Sequence, residues 1–228
     1  EIEDLSNCLI KMGAKIEGHG TKTILVQGVT NLKKAEHEII SDRIVAGTYI
    51  IAALMLNSAL EINNFNTIYL KSLIDILKKM GAKLKVSKNS IKVSKGSKLK
   101  STSLSTSPYP GFPTDLQAQL MSLMCISDGK SKIKETIFEN RFMHVPELNR
   151  LGANITVEKD TATIIGNQTF KGAQVMASDL RASISLVLAA MNANGQTTLN
   201  RVYHLDRGYE NIEKTLGSLG AKIKRQKN

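Results

Sequence analysis

Three apolar stretches of similar length recur along the chain: IVAGTYIIAALML from Ile44, LQAQLMSLMCI from Leu116 and LRASISLVLAAM from Leu180. Each follows a short polar pair, Ser41-Asp42, Thr114-Asp115 or Ser178-Asp179. Ser and Thr are preferred N-caps, and an Asp in the first turn suits the positive end of a helix dipole, so the three stretches are predicted helices. Each is followed by Gly, Asn or Ser and then by a strand-like run.

A second pattern runs in step with the first. The chain reads KMGAKIEG over Lys11 to Gly18, KMGAKLKV around Gly81, RLGANITV around Gly152 and SLGAKIKR over Ser218 to Arg225. Gly13, Gly81, Gly152 and Gly220 thus stand at intervals of 68, 71 and 68 residues. So long and regular a period marks a duplicated supersecondary unit. The phrase itself reads as an amphipathic helix that stops at a Gly with φ > 0 and passes at once into a strand. Together the two patterns predict an α/β protein built from βαβαββ units that begin near Ala35, Ser101 and Ala173.

The chain of 228 residues starts with Glu1, and its first repeat phrase lacks the earlier half of a unit, which predicts a carboxy-terminal piece of a longer protein. No apolar run approaches the roughly 20 residues that span a bilayer, so no membrane partner is expected. Cys8 and Cys125 both fall in helical apolar patterns and read as buried reduced thiols, which favours the cytoplasm. The net charge of +11 raises the question of nucleic acid. Lysines cluster at Lys88, Lys92, Lys95, Lys98 and Lys100, and basic residues again at Lys222, Lys224, Arg225 and Lys227. Aromatics are only 4% and Trp is absent, so bases would find few stacking platforms. These clusters read as solvated surface, and the positive field equally suits an anionic small molecule.

Candidate chemistry gathers in the connections. In PYPGFPTDLQAQL, Pro108, Pro110 and Pro113 stiffen the approach to Thr114, which with Gln117 matches a T-x-x-Q capping box. Asp115 would then sit at a helix N-terminus, either complementing the dipole or serving chemistry. ETIFENRFMHVPELNRLGA places Phe138, Glu139, Asn140 and Arg141 between a strand and a helix starting near Val145, where binding groups commonly lie. ASDLRAS carries Asp179 and Arg181, and VYHLDRGYENIE carries Asp206, Arg207 and Tyr209. Arg207 falls in its unit about where Arg141 falls in the preceding one. Two guanidiniums in matching connections, with helix N-termini nearby, make an anion pocket. The four histidines, His19, His37, His144 and His204, have no metal-ligand spacing, and Gly18-His19-Gly20 is followed by Thr23 where a dinucleotide fingerprint needs its third glycine. No metal and no cofactor are expected.

At PYPGFPTDLQAQ, TIFENRFMHVPELNRLGA, GAQVMASDLRAS and YHLDRGYENIE the chain resembles the UDP-N-acetylglucosamine 1-carboxyvinyltransferase family of enolpyruvyl transferases. The resemblance extends over essentially all 228 residues. It implies an inside-out α/β barrel of two similar domains, with residues 1–40 ending the first and residues 41–228 forming most of the second. It implies transfer of the enolpyruvyl group of phosphoenolpyruvate to the 3-hydroxyl of UDP-N-acetylglucosamine, with release of phosphate and without metal or organic cofactor. That reaction starts peptidoglycan precursor synthesis in the cytoplasm, and through the wall it bears on cell shape and division. By the same resemblance Asp115 stands beside the attacking hydroxyl as general base or orienting group, and Ile137 and Phe138 line the sugar nucleotide; a carboxylate at a helix N-terminus is a feeble base for an alcohol, which favours orientation with proton acceptance late in the step. Arg141 and Arg207 hold the phosphate and carboxylate, and Asp179 and Arg181 order the cleft. Most of the family's first domain is missing, with its mobile-loop cysteine and a phosphoenolpyruvate-binding lysine; neither Cys8 nor Cys125 lies in such a loop. The expected partner is therefore that amino-terminal domain, without which the chain is expected to be inactive. The rival readings are 3-phosphoshikimate 1-carboxyvinyltransferase and a non-catalytic basic binding module, the latter marked by steeply salt-dependent affinity for nucleic acid.

Overall fold

A computed structural model describes residues 1–226; the expectation for Lys227 in the terminal basic cluster lies outside them. The chain divides into a compact unit Glu1–Asp42 and a second from Arg43 onward. In the first unit, helix α1 (Ile2–Lys11) leads into the antiparallel pair β1 (Lys15–Glu17) and β2 (Leu25–Gln27). His37 Nε2 lies 3.0 Å from Asp4 Oδ1 and ties the segment after β2 to α1.

The second unit opens with α2 (Arg43–Met55), β3 (Leu60–Asn63), a 3-10 turn (Thr67–Leu70) running into α3 (Lys71–Lys79), β4 (Leu84–Val86) and β5 (Ser90–Val93). There follow β6 (Ser103–Ser105), a 3-10 turn (Thr114–Leu116) running into α4 (Gln117–Ile126), β7 (Lys130–Lys134), α5 (Val145–Arg150), β8 (Asn154–Glu158) and β9 (Thr161–Ile165). Last come β10 (Gln174–Met176), α6 (Leu180–Asn192), β11 (Thr198–Asn200), a 3-10 helix (Val202–Arg207) and α7 (Ile212–Ser218). The middle repeat thus has all six elements of βαβαββ. The other two depart from that pattern among the described residues: no strand is formed between Ala35 and Asp42, and none follows Gly220.

The helices α2, α4 and α6 are apolar on nearly every side, and such helices are stable only when surrounded. Here α4 packs against both α2 and α6, and α2 touches α6, so the three form the centre. Outside them lie a three-stranded antiparallel sheet in the order β3-β5-β4, a four-stranded sheet β6-β7-β9-β8 with β6 parallel to β7, and the parallel pair β10-β11. Ile50, Ile51, Leu120, Leu123, Ile184 and Leu186, all from the central helices, are nearly or wholly sealed from solvent. Cys125 is buried on α4, which pushes its thiol up to about 12 and makes it inert at neutral pH.

The four glycines of the repeat phrase all take positive φ, between 96° and 102°. At each one the glycine N–H and the following alanine N–H donate back to two carbonyls of the last helical turn, as in Ala14 to Leu9 and Gly13 to Ile10, both 2.9 Å. This is the Schellman arrangement, which any side chain would strain at the glycine. The helix starts are less uniform. Asp179, not Ser178, is the N-cap of α6, its Oδ1 accepting from the N–H groups of Arg181 (2.8 Å) and Ala182 (3.0 Å). The capping box expected at Thr114 is absent, because its hydroxyl is turned to Glu135 instead, donating to Oε2 at 2.9 Å.

Candidate active site

Asp115 sits in the 3-10 turn ahead of α4. Its Oδ1 is 2.8 Å from Arg141 Nη2, which donates to it, and 3.1 Å from Arg181 Nε. Arg141 comes from the connection between β7 and α5, and Arg181 from the first turn of α6. Three segments far apart in the chain therefore meet at one carboxylate oxygen. All three side chains keep partial contact with solvent, Asp115 at 39%. Two cations against one anion leave an excess positive charge, which favours an anionic ligand. Asp115 Oδ2 accepts no hydrogen bond among the described residues, which leaves that carboxylate oxygen able to take a donor.

The other sequence-predicted residues fall around this triad. Phe138 is exposed and its ring lies under the Arg141 guanidinium at 5.0 Å, a cation–π contact that limits where that group swings. Ile137 is half-buried, and its N–H donates to Glu135 Oε1 at 2.9 Å. Asp179 holds the backbone of Arg181 through its N-cap bonds. Arg207 ends the 3-10 helix before α7; it is exposed and makes no ion pair with the triad among the described residues. It nevertheless stands at the same end of the central helices, because Gly208 sits so close to Leu180 of α6 that a Cβ there would come within 2.9 Å of Leu180 Cδ2. Asp206 is taken up by Arg225, whose Nη1 and Nη2 donate to its carboxylate at 2.9 and 2.6 Å. The hydrogen bonds from Arg225 hold the Asp206 carboxyl below its ordinary range. A cavity of about 360 Å³ is lined by Asp206, Tyr209, Glu210, Asn211, Glu213 and Arg225, and not by the triad.

Behind the triad lies a buried polar network that sequence reasoning missed. Gln119 Nε2 donates to the Asp115 carbonyl (2.9 Å) and lies 3.3 Å from Thr48 Oγ1, which is 2.8 Å from the Tyr209 hydroxyl. Thr48, Gln119 and Tyr209 come from the three successive repeats. The available signal was a polar side chain inside an apolar helix, Thr48 in IVAGTYII and Gln119 in LQAQLM, since a buried polar group needs a partner.

His144 lies behind Arg141 and is buried. Burial pushes its imidazole down to about 4, with the Asp179 charge opposing and the Arg141 charge adding to the effect. The unfolded chain takes up this proton near 6.5 and the folded chain only near 4. Stability is therefore complete above about pH 6.5 and declines as the pH falls toward 4, by on the order of 3 kcal/mol. Urea unfolding at a series of pH values should show that decline in the parent chain and a clearly shallower one in His144→Gln; identical slopes would remove His144 as the cause.

A family model described as EPSP synthase (3-phosphoshikimate 1-carboxyvinyltransferase) matches residues 1–216. A protein of Pelagibacter ubique named UDP-N-acetylglucosamine 1-carboxyvinyltransferase is 52% identical over 225 residues, which cover 99% of this chain and 54% of that protein. One of the same name from Azorhizobium caulinodans is 53% identical over 226 residues, 99% of this chain and 53% of its own. The chain thus spans about half the length of the curated relatives it matches. Among solved structures, the enolpyruvyl transferase NikO from Streptomyces tendae superposes with a TM-score of 0.88 at 30% identity, over 97% of this chain and 53% of that one. EPSP synthase from Acinetobacter baumannii superposes at 0.73 with 17% identity, over 97% and 55%, and speaks for the fold alone. The expected architecture, helices inside and sheets outside in βαβαββ repeats, is the one these neighbours share. Among the described residues no helix is long and apolar enough to cross a membrane.

Proposed function

The chain belongs to the EPSP synthase family of carboxyvinyltransferases, and from that premise we propose that, at the length of its curated relatives, it transfers the enolpyruvyl group of phosphoenolpyruvate to the 3-hydroxyl of UDP-N-acetylglucosamine. The observation that carries this reading is the convergence of two guanidiniums on one oxygen of Asp115, while the other accepts no hydrogen bond among the described residues. Arg141 and Arg181 supply charge for the phosphate and carboxylate of phosphoenolpyruvate in fork geometry, with Arg207 reaching in from the neighbouring 3-10 helix. The sugar hydroxyl hydrogen-bonds to Asp115 Oδ2, its oxygen adds to C2 of phosphoenolpyruvate as C3 takes a proton, and the hydroxyl proton passes to the carboxylate as C2 becomes cationic. The tetrahedral adduct then loses phosphate from C2 and one proton from C3 to solvent, which forms the C2=C3 double bond of the enol ether product. Ile137 and Phe138 flank the sugar nucleotide, and Asp179 holds Arg181 through the α6 cap. No metal or organic cofactor enters the scheme.

In this reading residues 1–40 close a first enolpyruvyl transferase domain and residues 41–228 form most of a second. The exposed Ile2, Leu5, Leu25, Val26 and Ile39 support further polypeptide covering the first unit. The product feeds peptidoglycan precursor synthesis, and through it cell shape and division. Two free thiols and a sugar-nucleotide substrate support the cytoplasm.

Phosphate release tests the proposal. With both substrates present, the polypeptide at its relatives' length should turn over UDP-N-acetylglucosamine and not shikimate 3-phosphate, while residues 1–228 alone release no phosphate. The reverse preference would favour the 3-phosphoshikimate reading, which the family description admits. Turnover by residues 1–228 alone would refute the need for a partner domain.

A further inference from the structure

We infer that Glu135 is the positioning residue of this site, a buried carboxylate that sets the spacing between the turn bearing Asp115 and the connection bearing Arg141. Glu135 follows the end of β7 and is 4% exposed. Its Oε1 accepts from Thr106 Oγ1 (2.8 Å), the Ile137 N–H (2.9 Å) and the Phe138 N–H (3.3 Å), and its Oε2 accepts from Thr114 Oγ1 (2.9 Å). Thr106 stands just beyond β6, and its own Oγ1 accepts from the Thr136 N–H at 2.8 Å. One carboxylate thus gathers donors from three places: the end of β6, the residue immediately before Asp115, and the backbone that leads to Arg141. Phe138, which it holds by the N–H, is also the ring beneath the Arg141 guanidinium.

A buried carboxylate satisfied by neutral donors adds little net stability, because desolvation offsets most of what the bonds return. What these bonds do secure is geometry. The Thr114 turn cannot shift without leaving Oε2 unpaired, and the Ile137-Phe138 backbone cannot shift without breaking two of the three bonds to Oε1. The ion pair between Asp115 and Arg141 forms across that fixed gap. This role was hidden in the sequence, although Glu135 opens the quoted ETIFENR segment, because its partners lie up to 29 residues away.

The inference rests on Asp115 and Arg141 being site residues, but its test does not need turnover. Arginine-selective NMR of the 228-residue chain reads the Arg141 Nη2–H that donates to Asp115 Oδ1, and Asp115→Asn supplies the reference position of the unpaired signal. Glu135→Ala and Thr114→Val should move that signal to the reference position. Glu135→Gln should leave it in place, since the amide oxygen still accepts from Thr106 Oγ1 and both backbone N–H groups while the amide NH₂ donates to Thr114 Oγ1, whose hydroxyl turns round to accept. Leu77→Ala, a cavity variant on α3 that touches none of the hydrogen bonds of Glu135, serves as the control for lost stability alone. The inference is overturned if Thr114→Val leaves the signal unmoved, or if Leu77→Ala moves it as far. Should Glu135→Ala fail to fold, Thr114→Val decides. A longer polypeptide without transferase activity would sink the catalytic reading of Asp115 and leave this result standing on its own.

Discussion

Asp115→Asn is expected to lower turnover of the full-length polypeptide by about 10² to 10⁴ while changing its unfolding free energy by less than about 1 kcal/mol. The two effects separate because the group is partly exposed. An ion pair in contact with solvent returns little stability, so losing the charge on Oδ1 costs the fold almost nothing. The chemistry has no such cushion. An amide cannot take the hydroxyl proton as C2 of phosphoenolpyruvate becomes cationic, and its NH₂ would confront either Arg181 or the incoming hydroxyl with a donor where an acceptor is needed. Single-turnover kinetics and urea unfolding on the same preparation check both halves. Turnover within tenfold of the parent would mean that Asp115 only anchors Arg141 and Arg181; a large loss of stability would mean that it is part of the folding core.

Phe170→Ala is expected to destabilise the chain by about 3–5 kcal/mol, the cost of a large cavity in a region that cannot collapse. Phe170 is wholly buried and stands between β9 and β10, where the middle repeat gives way to the last. Its carbonyl accepts from the Asn194 N–H at 2.9 Å, and the next residue, Lys171, donates its N–H to the Leu151 carbonyl at 2.8 Å. The backbone on both sides is therefore fixed to other segments, and surrounding groups cannot follow the missing ring inward. Guanidinium unfolding should show a lower midpoint with an unchanged slope. A loss below about 1 kcal/mol would show that the junction between repeats is looser than this packing implies.

Comparing the expected with the observed elements separates two kinds of information. The helix stops at Gly13, Gly81, Gly152 and Gly220 were legible because a Schellman turn is closed by bonds within six residues and demands a φ that glycine adopts freely. The central helices were legible because long apolar runs have no stable place except an interior. Thr114 was misread as a cap because its hydroxyl chooses between nearby backbone N–H groups and a carboxylate that the fold brings from 21 residues away. The strand expected from Ala35 does not form among the described residues, and a strand-like pattern alone cannot say so, because pairing is decided by which segments the fold brings alongside.

The candidate site divides in the same way. Asp115, Arg141, Asp179, Arg181 and Arg207 could be named from the repeat, since equivalent connections between strand and helix fall at the same end of a repeated architecture. Which of them touch could not be named: Asp115 and Arg141 stand 26 residues apart, and Arg181 a further 40 along. The sequence by itself determined the period, the helix ends and the roster of charged side chains, because these follow from backbone conformations and bonds that close within a turn. Only the tertiary structure decided that two arginines share one oxygen of Asp115, that Arg207 stands outside that pair, and that Glu135 and the Thr48-Gln119-Tyr209 network lie behind them. Hydrogen bonds and ion pairs between distant segments depend on separations of an ångström or less, which arise from the packing of α2, α4 and α6 as a whole.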